Sequence, residues 1–227
     1  MNWEKEFAKR YRIKQAICVI LGVCIAWLLT VVLVERGMMR VDAKMSATQQ
    51  GLAEEVFRFH VLANSDSEED QAVKLKVRDA VIAYMKDSMA QELEEEPDGK
   101  ATKAWAGSHL EEFEEVADRV IREEGYSYTS KASVEFCYFP DKRYGDIVFP
   151  QGNYEALRIK LGSAKGHNWW CVLYPNLCFT NATCAVVSEE GKEDLKEALT
   201  AEEYEMVTAT SDFKIRWFFF GDVAKEE

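Results

Sequence analysis

The chain has 227 residues, 48% of them apolar, with twelve Phe, six Trp and nine Tyr. That is enough apolar volume for one medium domain plus a short appendage, and it is not a disordered composition. The formal charge of −12 is lopsided: residues 1–40 carry Lys5, Lys9, Arg10, Arg12, Lys14, Arg36 and Arg40 against Glu4, Glu6 and Glu35, a net +4, which leaves −16 on residues 41–227. So acidic a domain offers no basic footprint for a phosphate backbone, which sets nucleic-acid binding aside.

Residues 1–15 form a basic N-terminus, and "AICVILGVCIAWLLTVVLV" at 16–34 is an uncharged run. As a helix it would reach about 28 Å, close to the hydrocarbon thickness of a bilayer. The basic cluster "KRYRIK" precedes it, so the positive-inside bias keeps the N-terminus cytoplasmic and sends the rest outward. Signal-peptide cores are shorter and end at a small-x-small site. Here "ERGMMR" follows, and Val41-Asp42-Ala43 lies well past the run, which favours a retained anchor over a cleaved signal. Residues 35–55 read as a polar juxtamembrane tether, 56–222 as the extracytoplasmic domain and 223–227 as a tail.

In "VFRFHVLANSD", Phe57, Phe59 and Val61 share one face of a strand and Arg58, His60 and Leu62 the other. "NSDSEED" stops that strand and starts a helix, with Ser67 and Asp70 as an imperfect capping box. The helix runs over about 68–88 with Val73, Val77, Ala80, Val81 and Tyr84 on one stripe. Pro97 and Gly99 break it. A second helix over about 101–124 carries Trp105, Leu110, Phe113, Val116, Val120 and Ile121, and Gly125 caps it. Strands follow at "KASVEFCYFP", "GDIVFP", "NYEALRIKLG" and "NWWCVLYP", punctuated as an antiparallel meander. Residues 187–206 hold a short helix, and "DFKIRWFFFGD" closes as a strand. The fold class is α+β: an N-terminal transmembrane or signal-anchor helix, then one domain with two main helices packed on a mostly antiparallel sheet.

"GHNWWCVLYPNLCF" (166–179) concentrates the chemistry. A cysteine nucleophile needs a base within hydrogen-bond reach. On a strand, His167 and Cys171 lie about 13 Å apart, too far for direct contact. His60 or His109 would have to approach in space, and the apolar surroundings of Cys171 disfavour a thiolate. The cysteines at 137, 171, 178 and 184 lack the paired knuckles of a zinc site. Asp66, Glu68, Glu69 and Asp70 lack the Gly and Glu of a calcium loop and suit a solvated helix start better. "GSAKG" (162–166) lacks the ending of a phosphate loop, and no hydrolase or zincin motif is present. Asn181-Ala182-Thr183 fits a glycosylation acceptor, relevant only on a eukaryotic secretory route. No catalytic residue, metal, cofactor or small-molecule substrate is therefore expected. In an exported domain Cys171 and Cys178 are disulfide candidates: a four-residue loop places them opposite each other, whereas a turn centred on Pro175-Asn176 leaves them diagonal and too far apart. Cys137 and Cys184 either pair or stay as buried thiols, and Cys18 and Cys24 fall in the apolar run. Trp169 and Trp170 point to opposite faces of a strand, so at most one need be core and the other is a contact candidate.

Three blocks carry a family resemblance. "FRFHVLANSDSEEDQAVKLKVRDAV" (57–81), "FPDKRYGDIVFPQGNYEALRIKLGSAKGHNWWCVLYPNLCF" (139–179) and "FKIRW" (213–217) resemble segments of the stage II sporulation protein R family. "PNLCF" departs from that pattern, which has Pro-Pro there. The resemblance implies a sporulation signal, made in the forespore and exported into the space between the two septal membranes. There such proteins trigger a membrane-embedded aspartic protease of the mother cell, which removes the pro-sequence of sigma factor E; the catalytic aspartates are the protease's own. On this reading the partners are that protease and the membrane, through residues 16–34, and the contact candidates are Asn64, Ser65, Asp66, Asn168, Trp169 and Trp170. Two alternatives come from other classes: an envelope hydrolase using Cys171 with a histidine, and a non-catalytic structural septal protein.

Overall fold

The computed structural model describes residues 3–93, 97–145, 147–175, 177–178, 187 and 189–208. The closing strand expected at 212–222, Cys184 and the 181–183 acceptor lie outside them. The described residues divide into two units, 3–46 and 47–208. In the first, helix α1 (Trp3–Glu55) begins and carries the apolar run. Ile20, Val23, Trp27 and Leu33 are all more than half exposed there, as expected of side chains meant for lipid rather than for a protein core. It is the one described helix long and apolar enough to cross a membrane.

The second unit starts within the same helix. Residues 35–55, read from sequence as a tether, are helical throughout, because Thr48 and Leu52 are buried together with Val56 and fix the last turns. Strand β1 (Phe57–Leu62) follows, then α2 (Glu68–Glu92), α3 (Gly99–Ser108), α4 (Leu110–Glu123), β2 (Ser130–Phe139), β3 (Lys142–Tyr144), β4 (Ile147–Phe149), β5 (Gly152–Leu161), β6 (Asn168–Tyr174), α5 (Glu189–Ala198) and α6 (Ala201–Thr208). The main sheet has the order β2-β5-β1-β6, and β3 and β4 form a separate hairpin.

The sheet is mixed but mostly antiparallel: β2 and β6 run antiparallel to their neighbours, and β1 runs parallel to β5. The meander expectation fails at two places: β4 leaves the main sheet to pair with β3, so that β2 pairs directly with β5, and β5 and β6 do not pair. β1 lies between them: all six of its residues are buried, Arg58 and His60 included, and a strand covered on both faces belongs in the middle of a sheet. Residues 162–167 bridge the two-strand gap of about 10 Å.

The two faces of β1 serve two cores. Phe57, Phe59 and Val61 pack with Leu157, Ile159 and the stripe Val73, Val77, Val81 and Met85 of α2, together with α3 and α4. Val172, Ala156, Tyr154 and Phe139 pack on the opposite side with Leu52, Val56, the β3–β4 hairpin and α5–α6. Ser67 caps α2, its Oγ accepting the Asp70 N–H at 3.2 Å. The expected single helix at 101–124 is two, broken at His109. There the ring stacks on Trp105 (4.2 Å), and its Nδ1 bonds the Trp105 carbonyl at 2.8 Å, so local hydrogen bonding replaces a helical turn. Gly125 ends α4 at φ +85° with the paired Tyr126→Ile121 and Gly125→Arg122 bonds of a Schellman stop.

Ile159 is fully buried at the sheet–helix interface. Ile159→Ala should cost about 2–5 kcal/mol, read as a lower urea midpoint with an unchanged slope.

Candidate functional site

The connection 162–167 has to step over the C-terminal end of β1, where residues 63–66 leave the sheet. The two loops are bonded together along their length. Ser163 N–H donates to Asn64 Oδ1 (2.8 Å) and its Oγ donates to the Asn64 carbonyl (2.6 Å). Lys165 N–H donates to the same carbonyl (3.2 Å), and Gly166 N–H to the Ala63 carbonyl (2.9 Å). Gly162 takes φ +54° and Ala164 φ +53°, the left-handed turn that lets the loop double back. Gly166 is buried against its neighbour: a Cβ there would collide with the Ser65 carbonyl and the Ala63 methyl.

Asp70, in the first turn of α2, ties this loop to the helices. It is buried, its Oδ2 accepting from Asn64 Nδ2 (2.9 Å) and Ser65 Oγ (2.5 Å) and its Oδ1 from the Tyr128 hydroxyl (2.9 Å). Burial by itself would raise this carboxyl, but the bonds from Ser65, Asn64 and Tyr128 outweigh it and hold the pKa below the usual range. Tyr128 answers in the opposite direction, pushed up by burial and by the Asp70 carboxylate. On the outer side, the exposed Asp66 accepts from the His167 N–H and ring Nδ1, both at 2.5 Å, and these bonds lower its pKa. Lys74 Nζ donates to the His167 carbonyl (3.1 Å) and to Gln71 Oε1 (2.5 Å), and Gln71 Nε2 to the Ser65 carbonyl (2.9 Å). Burial, then Arg78, lower the Lys74 pKa.

The contact candidates therefore divide. Asn64 and Ser65 spend their side chains inside the interlock, whereas Asp66 faces solvent. Asn168 stands partly exposed at the start of β6, opposite Leu62. Trp169 lies edge-on to Phe59 (5.6 Å) under the Arg78 guanidinium (5.1 Å). Trp170 stacks on His60 (3.8 Å) on the other face, with Lys142 at 5.6 Å. Both tryptophans thus lean on a core, and both keep an open side. Sequence reading missed Asp70, Tyr128 and Lys74 as organisers of this site. It also missed Phe136 and Tyr138, which stand 69% and 57% exposed on the edge strand β2. The two share one face of β2 by strand alternation, but nothing in the sequence marks that face as open.

Cys171 and Cys178 are joined by a disulfide with Cα atoms 5.9 Å apart, and the Cys178 N–H donates to the Val172 carbonyl at 3.1 Å. The chain thus folds back across residues 173–177, of which Asn176 lies outside the described residues. Cys137 is a free thiol with a pKa raised by burial. Among the described residues no group of His, Cys, Asp and Glu is arranged to hold a metal.

These features define an N-terminal helix long and apolar enough to cross a membrane, followed by an α+β domain with a surface built from two loops distant in sequence. The stage II sporulation protein R family profile matches residues 53–184. The chain is also 35% identical over 167 residues to the stage II sporulation protein R of Bacillus subtilis (strain 168), covering 71% of this chain and 70% of that protein. No solved structure matches. The chain belongs to the stage II sporulation protein R family.

Gly166→Ala should destabilise the domain by about 1–3 kcal/mol in urea unfolding, since only backbone or short side chains could give way. Asp70 contributes stability that is complete above its unfolded pKa near 4 and is lost as pH falls through its depressed folded value. Acid unfolding should therefore steepen below about pH 4, and Asp70→Asn should flatten that limb while weakening the fold at neutral pH.

Proposed function

We propose that this chain is an exported sporulation signal that docks on a membrane-embedded aspartic protease of the mother cell and switches it on. The protease then removes the pro-sequence of sigma factor E. In this reading the N-terminus is cytoplasmic, α1 anchors the chain in the forespore membrane, and the domain stands in the septal intermembrane space. Family membership supports it, and so does the sporulation stage named in the Bacillus subtilis relative.

The observation that carries the docking surface is the interlock. The 62–66 and 162–167 segments share one bonded unit whose outer rim presents Asp66, His167, Asn168 and Trp169. A rigid, prepaid surface of this kind loses little entropy on binding. Activation follows if it binds the active protease conformation better than the inactive one.

The hydrolase alternative draws nothing from the geometry. The Cys171 sulfur is committed to Cys178, and Cys171 belongs to the Phe59 side of the sheet whereas His60 belongs to the other.

Co-reconstitution of the full chain with the membrane protease and the pro-sigma factor tests this reading. Asp66→Lys and Trp169→Ala should slow processing more than about tenfold while keeping a cooperative unfolding transition. Normal processing by both would remove the interface. Cys171→Ser and Cys178→Ser should impair processing equally, as halves of one staple; loss in Cys171→Ser alone would favour a nucleophile.

A further inference from the structure

Arg58 takes no part in the interlock. It projects from the N-terminal end of β1 into the core beneath the β3–β4 hairpin and is 0% exposed. Its Nη2 donates to the Tyr144 hydroxyl at 3.2 Å, while Nε and Nη1 have no acceptor among the described residues. Its guanidinium carbon sits 4.1 Å from the Phe139 ring centre, 4.9 Å from Tyr154 and 5.6 Å from Phe149. Aromatic faces offset part of the charge. They do not accept its in-plane N–H groups, and a buried cation with no anion is the arrangement that folding penalises most. Among the described residues no carboxylate bonds it.

The surroundings are positive too. Arg158 and Lys160 lie on the same sheet face, with Glu135 held by both at 2.7 and 3.1 Å. His60, the next residue on that face, has its pKa lowered to about 3 by burial and then by Arg158, with Arg58 and Lys160 adding to the effect. Among the described residues, this corner of a domain carrying −16 over residues 41–227 thus has more cations than anions facing it. One wall is slight. β3 and β4 are three-residue strands outside the main sheet, and all three residues of β3 stay partly exposed. The seal over Arg58 is the Tyr144 phenol, bonded to Arg58 and to the Trp170 carbonyl (3.3 Å).

We propose that Arg58 is the receptor for a single carboxylate of an acidic protein segment. The segment is admitted when β3 withdraws Tyr144, and Lys142 and Trp170 line the mouth. With Tyr144 withdrawn, the carboxylate takes Nε together with the Nη2 that the phenol held, the side-on fork that guanidinium offers. An anionic bilayer is the weaker fit. An extended surface meets the field of the whole acidic domain, whereas one carboxylate responds mainly to charges within about a Debye length, roughly 10 Å. The site is independent of the protease reading.

The test uses the full chain in detergent micelles with isotope-labelled arginine. The Arg58 Nε–H resonance is identified by its absence in Arg58→Lys. The probes are the peptide acetyl-Gly-Glu-Glu-Gly-amide, its Gln-Gln counterpart, sodium sulfate, and phosphatidylglycerol vesicles with reconstituted protein. The Glu peptide should move that resonance and the Gln peptide should not. Tyr144→Phe, which frees Nη2, should bind the Glu peptide severalfold more tightly. Arg58→Met should lose binding and melt at a higher temperature than the parent, as an apolar side chain replacing an uncompensated charge. Silence of both the parent and Tyr144→Phe towards the Glu peptide would overturn the proposal. So would an equal response to sulfate, a response to vesicles alone, or a lower melting temperature for Arg58→Met.

Discussion

The domain depends on one constraint: β1 must be buried on both faces. Phe57, Phe59 and Val61 need the helices, and the opposite face needs the hairpin and the C-terminal helices, so the strand can sit only inside the sheet. With β1 seated between β5 and β6, the chain leaving β5 has no adjacent partner and must pass over the end of β1. That crossing creates the interlock. Asn64 fills the gap under the loop, Gly166 allows the backbones to touch, and Asp70 draws the assembly onto α2.

The same constraint explains why two segments about a hundred residues apart act as one surface. The 62–66 loop has no hairpin partner of its own; its backbone carbonyls are satisfied by Ser163, Lys165 and Gly166. Loosening either loop leaves polar groups of the other unbonded, which costs more than the bonds gain when formed. The disulfide adds a second fixed point just past the tryptophans by tying the middle of β6 to residue 178. Asp66, Asn168 and Trp169 are thus held in relative position before any partner arrives.

Much of this was legible in the sequence because it rests on local rules. The apolar run, the strand at Phe57–Leu62, the Ser67 cap, the stripe on α2 and the Gly125 stop each follow from periodicity or capping chemistry within a few residues. What stayed hidden depends on non-local pairing. Nothing near Gly162 announces that the next strand skips a neighbour, and nothing near Asp70 announces Tyr128, fifty-eight residues away. His109 broke a helix that the spacing of Trp105 and Phe113 supported, because its ring found Trp105 and a carbonyl. Arg58 was placed on the right strand face, but its lack of a counter-ion appears only once every surrounding element is in position.

If the interlock is what the protease recognises, contact should be written on its backbone. Hydrogen exchange of the full chain, reconstituted with and without the membrane protease, measures this directly. Slowed exchange concentrated in residues 63–67 and 163–169 is the expected result. Unchanged exchange there, with new protection confined to α5 and α6 or to the β2 edge, would contradict it.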